Sequence, residues 1–370
     1  MARTRYRPRR PRSSTKDGEA KIPKTSPLNC VTDEIAKKIE EEIEEEIVYE
    51  SEDQNVPKGE DGKIDYKAMT NILPKDFAEN SKTNVFIGAH LPISGGIENA
   101  IIQAGAIGAQ AVAMFLCSQL TWNVEELDDT SVAKFKKACE DYGFPSHLIV
   151  PHASYIMNPG SGDKEILNKS RNLMIDGLSR CDRLGIDLYN FHPGSTGGRI
   201  CVAECISNIA ETINIAHKKT KTSIAVIENM CKQGNTVGGD FKQIKKIIDL
   251  VEDKSRVGVC IDTCHAFAAG YNLKTEEGFN KMMEEFENII GINYLKAVHL
   301  SDSKEKCNSR VDRHANIGRG KIGLEAFKRM INDPRFKNIP MVLETPFKDT
   351  DPLIYKKEVK LLYKQIELNE

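Results

Sequence analysis

With 370 residues and 40% hydrophobic content, the chain can fill one large domain or two ordinary ones around a sizeable core. A net charge of −2 excludes bulk positive charge as its means of holding a polyanion, and no run nears the ~18 apolar residues that a membrane span needs. Ten cysteines are scattered along it, and no apolar leader-like stretch stands near residue 1. The thiols are therefore expected to be reduced, mostly as small buried apolar groups.

Residues 1–83 read as a disordered extension of mixed charge. "MARTRYRPRRPR" holds six arginines and no acid, and residues 40–53 form an acidic block, "EEEIEEEIVYESED". Such a stretch has little to bury and repels itself. Ile35, Ile39, Ile43 and Ile47 could line one face of a transient helix over Asp33–Ile47. The arginine cluster is expected to be a nuclear address, with a basic nucleic-acid arm or a mitochondrial presequence as its rivals. Pro8 and Pro11 spoil the amphipathic helix that a presequence needs. The partners of this extension are not specified by its sequence. Through Lys82 there are 16 basic and 18 acidic residues; set against totals of 52 and 54, this leaves 36 of each, so the remainder is neutral.

From Asn84 the texture becomes regular. Eight short β-rich runs follow: "NVFIGAHL", "AVAMFLCS", "HLIVPHAS", "LYNFHPGS", "SIAVIENM", "VGVCIDTC", "YLKAVHLSD" and "IPMVLETP". Helix-compatible stretches such as "VAKFKKACEDYG" and "FKQIKKIIDLVED" lie between them. Eight strand–helix units over residues 84–370 predict an α/β fold, a (β/α)8 TIM barrel forming one domain. A doubly wound open sheet is the competitor, but it rarely reaches eight even units.

The polar residues of this region cluster where those runs end. His90, His152, His192 and His299 close runs, and His265 follows one. Glu228, Asp262, Asp302 and Glu344 sit in matching places, and Asp312 and His314 share the loop after the seventh run. In a barrel the C-terminal strand ends share one rim, so groups distant in sequence converge there. So many histidines and carboxylates would be costly to desolvate without cations. The donor set suits zinc, and also manganese or iron, and it exceeds the needs of one ion. Two or three ions are expected. Closely spaced metals clamp an attacking hydroxide and a leaving oxygen, as in phosphodiester hydrolysis, and three would leave the rim positive enough for a phosphate.

"GVCIDTCHAF", Gly258 to Phe267, first looks like a cysteine motif. Its cysteines are separated by three residues, whereas redox pairs and haem attachment want two. Alternation puts Cys260 on the same side of a strand as Asp262, so a sulfur ligand at Cys260 is geometrically conceivable. With carboxylates and histidines enough to fill the coordination spheres, both cysteines are expected to pack as small apolar groups.

Seven segments together, "VPHASY", "NFHPGS", "AVIEN", "GVCIDTCHAFAAGY", "VHLSDSK", "RVDRHANIG" and "LETP", resemble in order and spacing the endonuclease IV family of apurinic/apyrimidinic endonucleases. The resemblance runs from about Asn84 to Pro346. It implies a barrel with a trinuclear zinc cluster that cuts DNA 5′ to an abasic site, leaving a 3′-hydroxyl and a 5′-deoxyribose phosphate, and that trims blocked 3′ ends. By this resemblance one zinc takes His152, His192 and Glu228. A second shares Glu228 and adds Asp262, His299 and Glu344. A third takes His265, Asp312 and His314. Glu228 and Glu344 are then the catalytic carboxylates, and His90 and Asp302 are left as supporting residues. For DNA contact the resemblance offers Tyr155, Gln119 and Arg313. Leu120 stands where some members carry arginine; leucine can wedge between bases but makes no hydrogen bond. The implied partner is duplex DNA bearing abasic sites or blocked 3′ ends, met by a monomer with no membrane attachment. The rival reading is a metal-dependent sugar isomerase or epimerase of the same architecture, in which the set His265, Asp312 and His314 has no obvious job.

Overall fold

A computed structural model describes residues 56–59, 64–70, 83–347 and 353–367. The arginine cluster, the acidic block and the helix expected over Asp33–Ile47 lie outside the described residues. The strands are β1 (Phe86–His90), β2 (Ala111–Ala113), β3 (Leu188–Phe191), β4 (Ile224–Glu228), β5 (Val257–Asp262), β6 (Leu295–Leu300), β7 (Asp302–Ser303), β8 (His314–Ala315) and β9 (Pro340–Leu343). Seven of them form a parallel sheet in the order β2-β1-β9-β6-β5-β4-β3, and β7 pairs with β8 as a separate antiparallel hairpin.

The expected third run closes the ring without forming a regular strand. Ile149 and His152 bridge β2 and its continuation at Phe115 on one side, and His152 bridges Asn190 of β3 on the other. Val150 N donates to the Val112 carbonyl at 2.8 Å and Asn190 N to the Pro151 carbonyl at 2.8 Å. Pro151 has no N–H to give, which interrupts the ladder at that point. Counting this stave, the (β/α)8 barrel expected from the sequence is present.

The helices between staves follow from their sequences. Phe241, Ile244, Ile247 and Ile248 form one buried face of the helix Phe241–Leu250. The helix Lys164–Leu184 starts where the Asp163 carboxylate accepts from Glu165 N and Ile166 N, and it stops at Gly185, whose φ of 75° suits glycine. The wall is buried on both faces. One face packs against the helices through residues such as Ile227, Val259, Ile261 and Val298, while Val150, Leu188, Val226, Cys260 and Ala297 form a separate interior layer.

The folded body also takes in part of the expected extension. Tyr66–Thr70 forms a short helix whose Met69 is buried with Ala106 and Leu353. Asp65 Oδ1 accepts from Ala68 N at 3.0 Å at its start. Apolar residues at 56, 64, 66 and 69 give this stretch something to bury.

Candidate metal centre

Strand alternation builds the site. Adding two to each member of the interior layer gives a polar residue on the same inner face, one step nearer the rim. Val150 leads to His152, Leu188 to Asn190, Val226 to Glu228, Cys260 to Asp262 and Ala297 to His299. On β9 the same step leads from Val342 to Glu344. The apolar layer is thus the floor of a polar one, and Cys260 belongs to the floor.

Glu228 is at the centre. His152 Nε2 lies 3.2 Å, His299 Nδ1 3.3 Å and His192 Nε2 3.5 Å from its Oε2, and Asn190 Nδ2 donates to that oxygen at 2.6 Å. Its Oε1 is 3.1 Å from His265 Nδ1. Glu344 Oε2 is 3.5 Å from His299 Nδ1, and its Oε1 is 3.5 Å from His90 Nδ1. His90 therefore flanks the site, with its ring against Phe115.

A second group is assembled differently. Asp262 ends β5 and caps the helix Thr263–Ala269, accepting from His265 N at 2.6 Å. That one turn directs His265 inward. Asp312 and His314 arrive on the β7–β8 hairpin, with His265 Nε2 3.1 Å from Asp312 and His314 Nε2 3.2 Å from it. The hairpin is held by Asp302, whose buried carboxylate accepts from the backbone of Ser303, Gly320, Ile322 and Gly323 at 2.7–3.1 Å. A side chain at Gly320 would collide with that carboxylate, since a Cβ there lies 2.3 Å from Oδ1. Asp302 is thus a brace, in keeping with its omission from the ligand sets.

The donor atoms fall into four groups, each with all its ligand atoms within 4.8 Å: His152/His192/Glu228, Glu228/Asp262/His299/Glu344, Asp262/His265/His314 and Cys264/Asp312/His314. The first two coincide with sets drawn from the sequence. The third set, His265, Asp312 and His314, is brought together, with Asp262 added to one side and Cys264 to the other. Cys264, expected to pack as a small apolar group, is buried with its sulfur in reach of Asp312 and His314. Burial pushes the Cys264 thiol up to about 12, which keeps it neutral.

The residues fit bound cations. The Nδ1 of His152, His265 and His314 sits 2.6, 2.9 and 2.7 Å from the carbonyls of Ala153, Asn229 and Glu344. A carbonyl only accepts, so each Nδ1 donates, and a ring that has shed its second proton to bind a cation would turn the lone pair of Nε2 toward the site. Buried atoms without a hydrogen-bond partner converge here: Glu228 Oε1, Asp262 Oδ2, His265 Nε2, both nitrogens of His299, His314 Nε2 and Glu344 Oε1. Orphaned buried polar atoms are rare in folded proteins, and a shared cation accounts for the set. Electrostatics agrees. Burial pushes the Glu228 carboxyl up, yet His299 and His192 outweigh it and hold it well below the usual carboxylate range. Burial likewise acts against charge on His299, and Cys260, Glu344 and Glu228 overcome it to raise its pKa.

The rim opens into a cavity of about 320 Å3 lined by Tyr155, His192, His265, Asp312, His314 and Glu344. Tyr155 is 54% exposed and packs its ring 5.2 Å from His152 and 5.6 Å from His192. Leu120 is 88% exposed on the loop after β2, and its neighbour Gln119 is half-buried, with its carbonyl accepting from Ser154 Oγ at 2.7 Å. Arg313 is exposed beside Asp312.

The model of the xylose isomerase-like TIM barrel family matches residues 101–365. Among curated relatives, "Apurinic-apyrimidinic endonuclease 1" of Plasmodium falciparum (isolate 3D7) is 46% identical over 310 residues, covering 84% of this chain and 51% of the relative. "Apurinic-apyrimidinic endonuclease" of Caenorhabditis elegans is 49% identical over 260 residues, covering 70% and 66%. The chain thus spans between half and two thirds of the length of these relatives. Among solved structures, endonuclease IV from Thermus thermophilus superposes with a TM-score of 0.67 at 29% identity, over 76% of this chain and 99% of that one.

Proposed function

The chain belongs to the xylose isomerase-like TIM barrel family, and on that footing we propose that it is a zinc-dependent DNA-repair hydrolase that cuts the phosphodiester 5′ to abasic sites. Its products are a 3′-hydroxyl and a 5′-deoxyribose phosphate, and it also trims blocked 3′ ends, in base excision repair. The observation that carries this reading is the set of orphaned carboxylate and imidazole atoms around Glu228. The names of the curated relatives and of the structural neighbour support the substrate. A sugar isomerase of the same architecture would leave the group around His265, Asp312 and His314 without a task.

One ion would be held by His152, His192 and Glu228, a second by Glu228, Asp262, His299 and Glu344, and a third by His265, Asp312 and His314. Zinc bound there supplies positive charge for the phosphate and makes hydroxide available near neutral pH. The protein's own groups do the rest. Glu228 belongs to both of the first two ligand sets and would be shared between them. Burial raises the Glu344 carboxyl, but His299 opposes it and the net value is about 2. Glu344 is therefore ionised at neutral pH and orients the attacking water by accepting its hydrogen bond. Arg313 meets phosphate from the rim. Tyr155, Gln119 and Leu120 enter the gap left by the missing base, where unstacking costs least. The protein acts as a monomer on duplex DNA in the nucleus, with the mitochondrion as a second location.

The test is a duplex carrying one tetrahydrofuran abasic analogue, incubated with the zinc-loaded protein. A single nick with a 3′-hydroxyl is expected, together with about three zinc ions per chain. Uncut duplex would sink the reading.

A further inference from the structure

From Leu116 to Leu127 the chain crosses the rim without a backbone–backbone hydrogen bond to any described residue. Its ends are buried at Leu116 and Leu127, and its tip is the exposed Leu120. The loop is held instead by side chains from elsewhere. Arg180, on the helix Lys164–Leu184, donates through Nη1 to the Leu116 carbonyl at 3.4 Å and through Nη2 to the Glu125 carbonyl. Its Nε donates to Asp176 at 2.6 Å. The two carbonyls lie on opposite legs of the loop, so one planar fork ties both legs to one helix.

Arg180 is only 7% exposed. Burying a guanidinium is costly, and an aliphatic residue would pack on this buried helix face without that cost. The fork geometry explains its presence, because neither lysine nor an aliphatic side chain can span two carbonyls while bonding a carboxylate. Ser154 Oγ pins the tip at the Gln119 carbonyl at 2.7 Å, and without the fork the two legs would still have to be ordered when substrate binds, which weakens binding.

We propose that Arg180 is a positioning residue for lesion recognition: by fixing both legs of the loop it holds Gln119 and Leu120 ready to fill the gap at an abasic site. This rests on the reading of abasic DNA as substrate. Arg180 touches neither the metal ligands nor the DNA and acts only through the loop tip.

The experiment is a double-mutant cycle on the full, zinc-loaded chain, with steady-state cleavage of the tetrahydrofuran duplex. Arg180→Lys and Leu120→Ala should each raise KM roughly ten- to hundredfold. In Arg180→Lys, kcat and zinc per folded chain should stay near those of the parent, with Tm lowered by a few degrees. The losses in the double variant should be clearly less than multiplicative, because part of the effect of the lysine passes through Leu120. Multiplying losses, or a fall in kcat and zinc with KM unchanged, would overturn the proposal. If Arg180→Lys does not fold, Asp176→Ala, which only frees Nε, is read in the same cycle against the same outcomes. A parent protein that leaves the duplex uncut would overturn the substrate reading and this proposal with it, whereas a cutting parent with additive variants sinks this proposal alone.

Discussion

Among the described residues, four carboxylate side chains of this barrel are wholly buried, and they divide into two kinds. Asp302 and Glu358 are surrounded by donors from their own chain. Asp302 accepts four backbone N–H groups, and Glu358 accepts from Ile317 N at 2.7 Å, from Asn316 Nδ2 at 3.3 Å and from the Thr345 hydroxyl. Glu228 and Asp262 each keep an oxygen without a hydrogen bond and face histidines that also lack partners. Residue type and burial are the same, so the surroundings carry the distinction. Carboxylates used as braces are satisfied internally, and those at the candidate metal centre are left open to a cation.

Substitutions can break or sharpen this contrast. The largest effect is expected from Glu228→Ala, which should lose bound metal and more than about 100-fold in activity, beyond what altering an outer partner of a ligand costs. Metal analysis beside turnover checks it, and retained metal would erase the distinction. Asp302→Asn should instead lower stability by about 1–3 kcal/mol, seen as a fall in Tm, while metal per folded chain stays level. A loss of metal with unchanged Tm would make Asp302 a ligand after all.

A smaller effect is expected at Glu358. Burial lifts its carboxyl from 4.5 to about 7. The folded chain therefore holds this proton more tightly than the unfolded one, and the stability involved is full below about pH 4.5 and lost as pH rises through about 7. Glu358→Gln removes that titration. Its Tm relative to the parent should improve by a few degrees between about pH 5 and about pH 8. A constant difference would show that the carboxyl does not titrate there. Least of all is expected from Cys260→Ala with Cys264→Ala, where metal content should stay near normal. Loss of one ion per chain would bring sulfur into the centre.

The sequence carried the rim well, because period-two alternation tells which side of a strand a residue takes. His152, Glu228, Asp262, His299 and Glu344 follow from it directly. Asp302 and Glu344 look alike as acids at run ends, and only three-dimensional donors separate them. Arg180, Asn190 and Glu358 were not foreseen. Two of them sit within helices, where a polar residue ordinarily means a solvated face, and Asn190 sits within a strand two residues before the histidine of its run. The third stave was expected as a strand, while Pro151 makes it an interrupted one. The short helix Tyr66–Thr70 was hidden among charged neighbours.

That interrupted stave makes the barrel a belt with a buckle. Parting the wall there breaks fewer ladder bonds than anywhere else along the ring, so it is the natural line for sub-global opening and the first place for amides to exchange with solvent. His152 sits on the buckle, and His192 and Glu228 lie just beyond it. A cation held by those three would fasten the belt, so exchange protection at Val150, His152 and Ala153 would report occupancy of the centre without any reference to turnover.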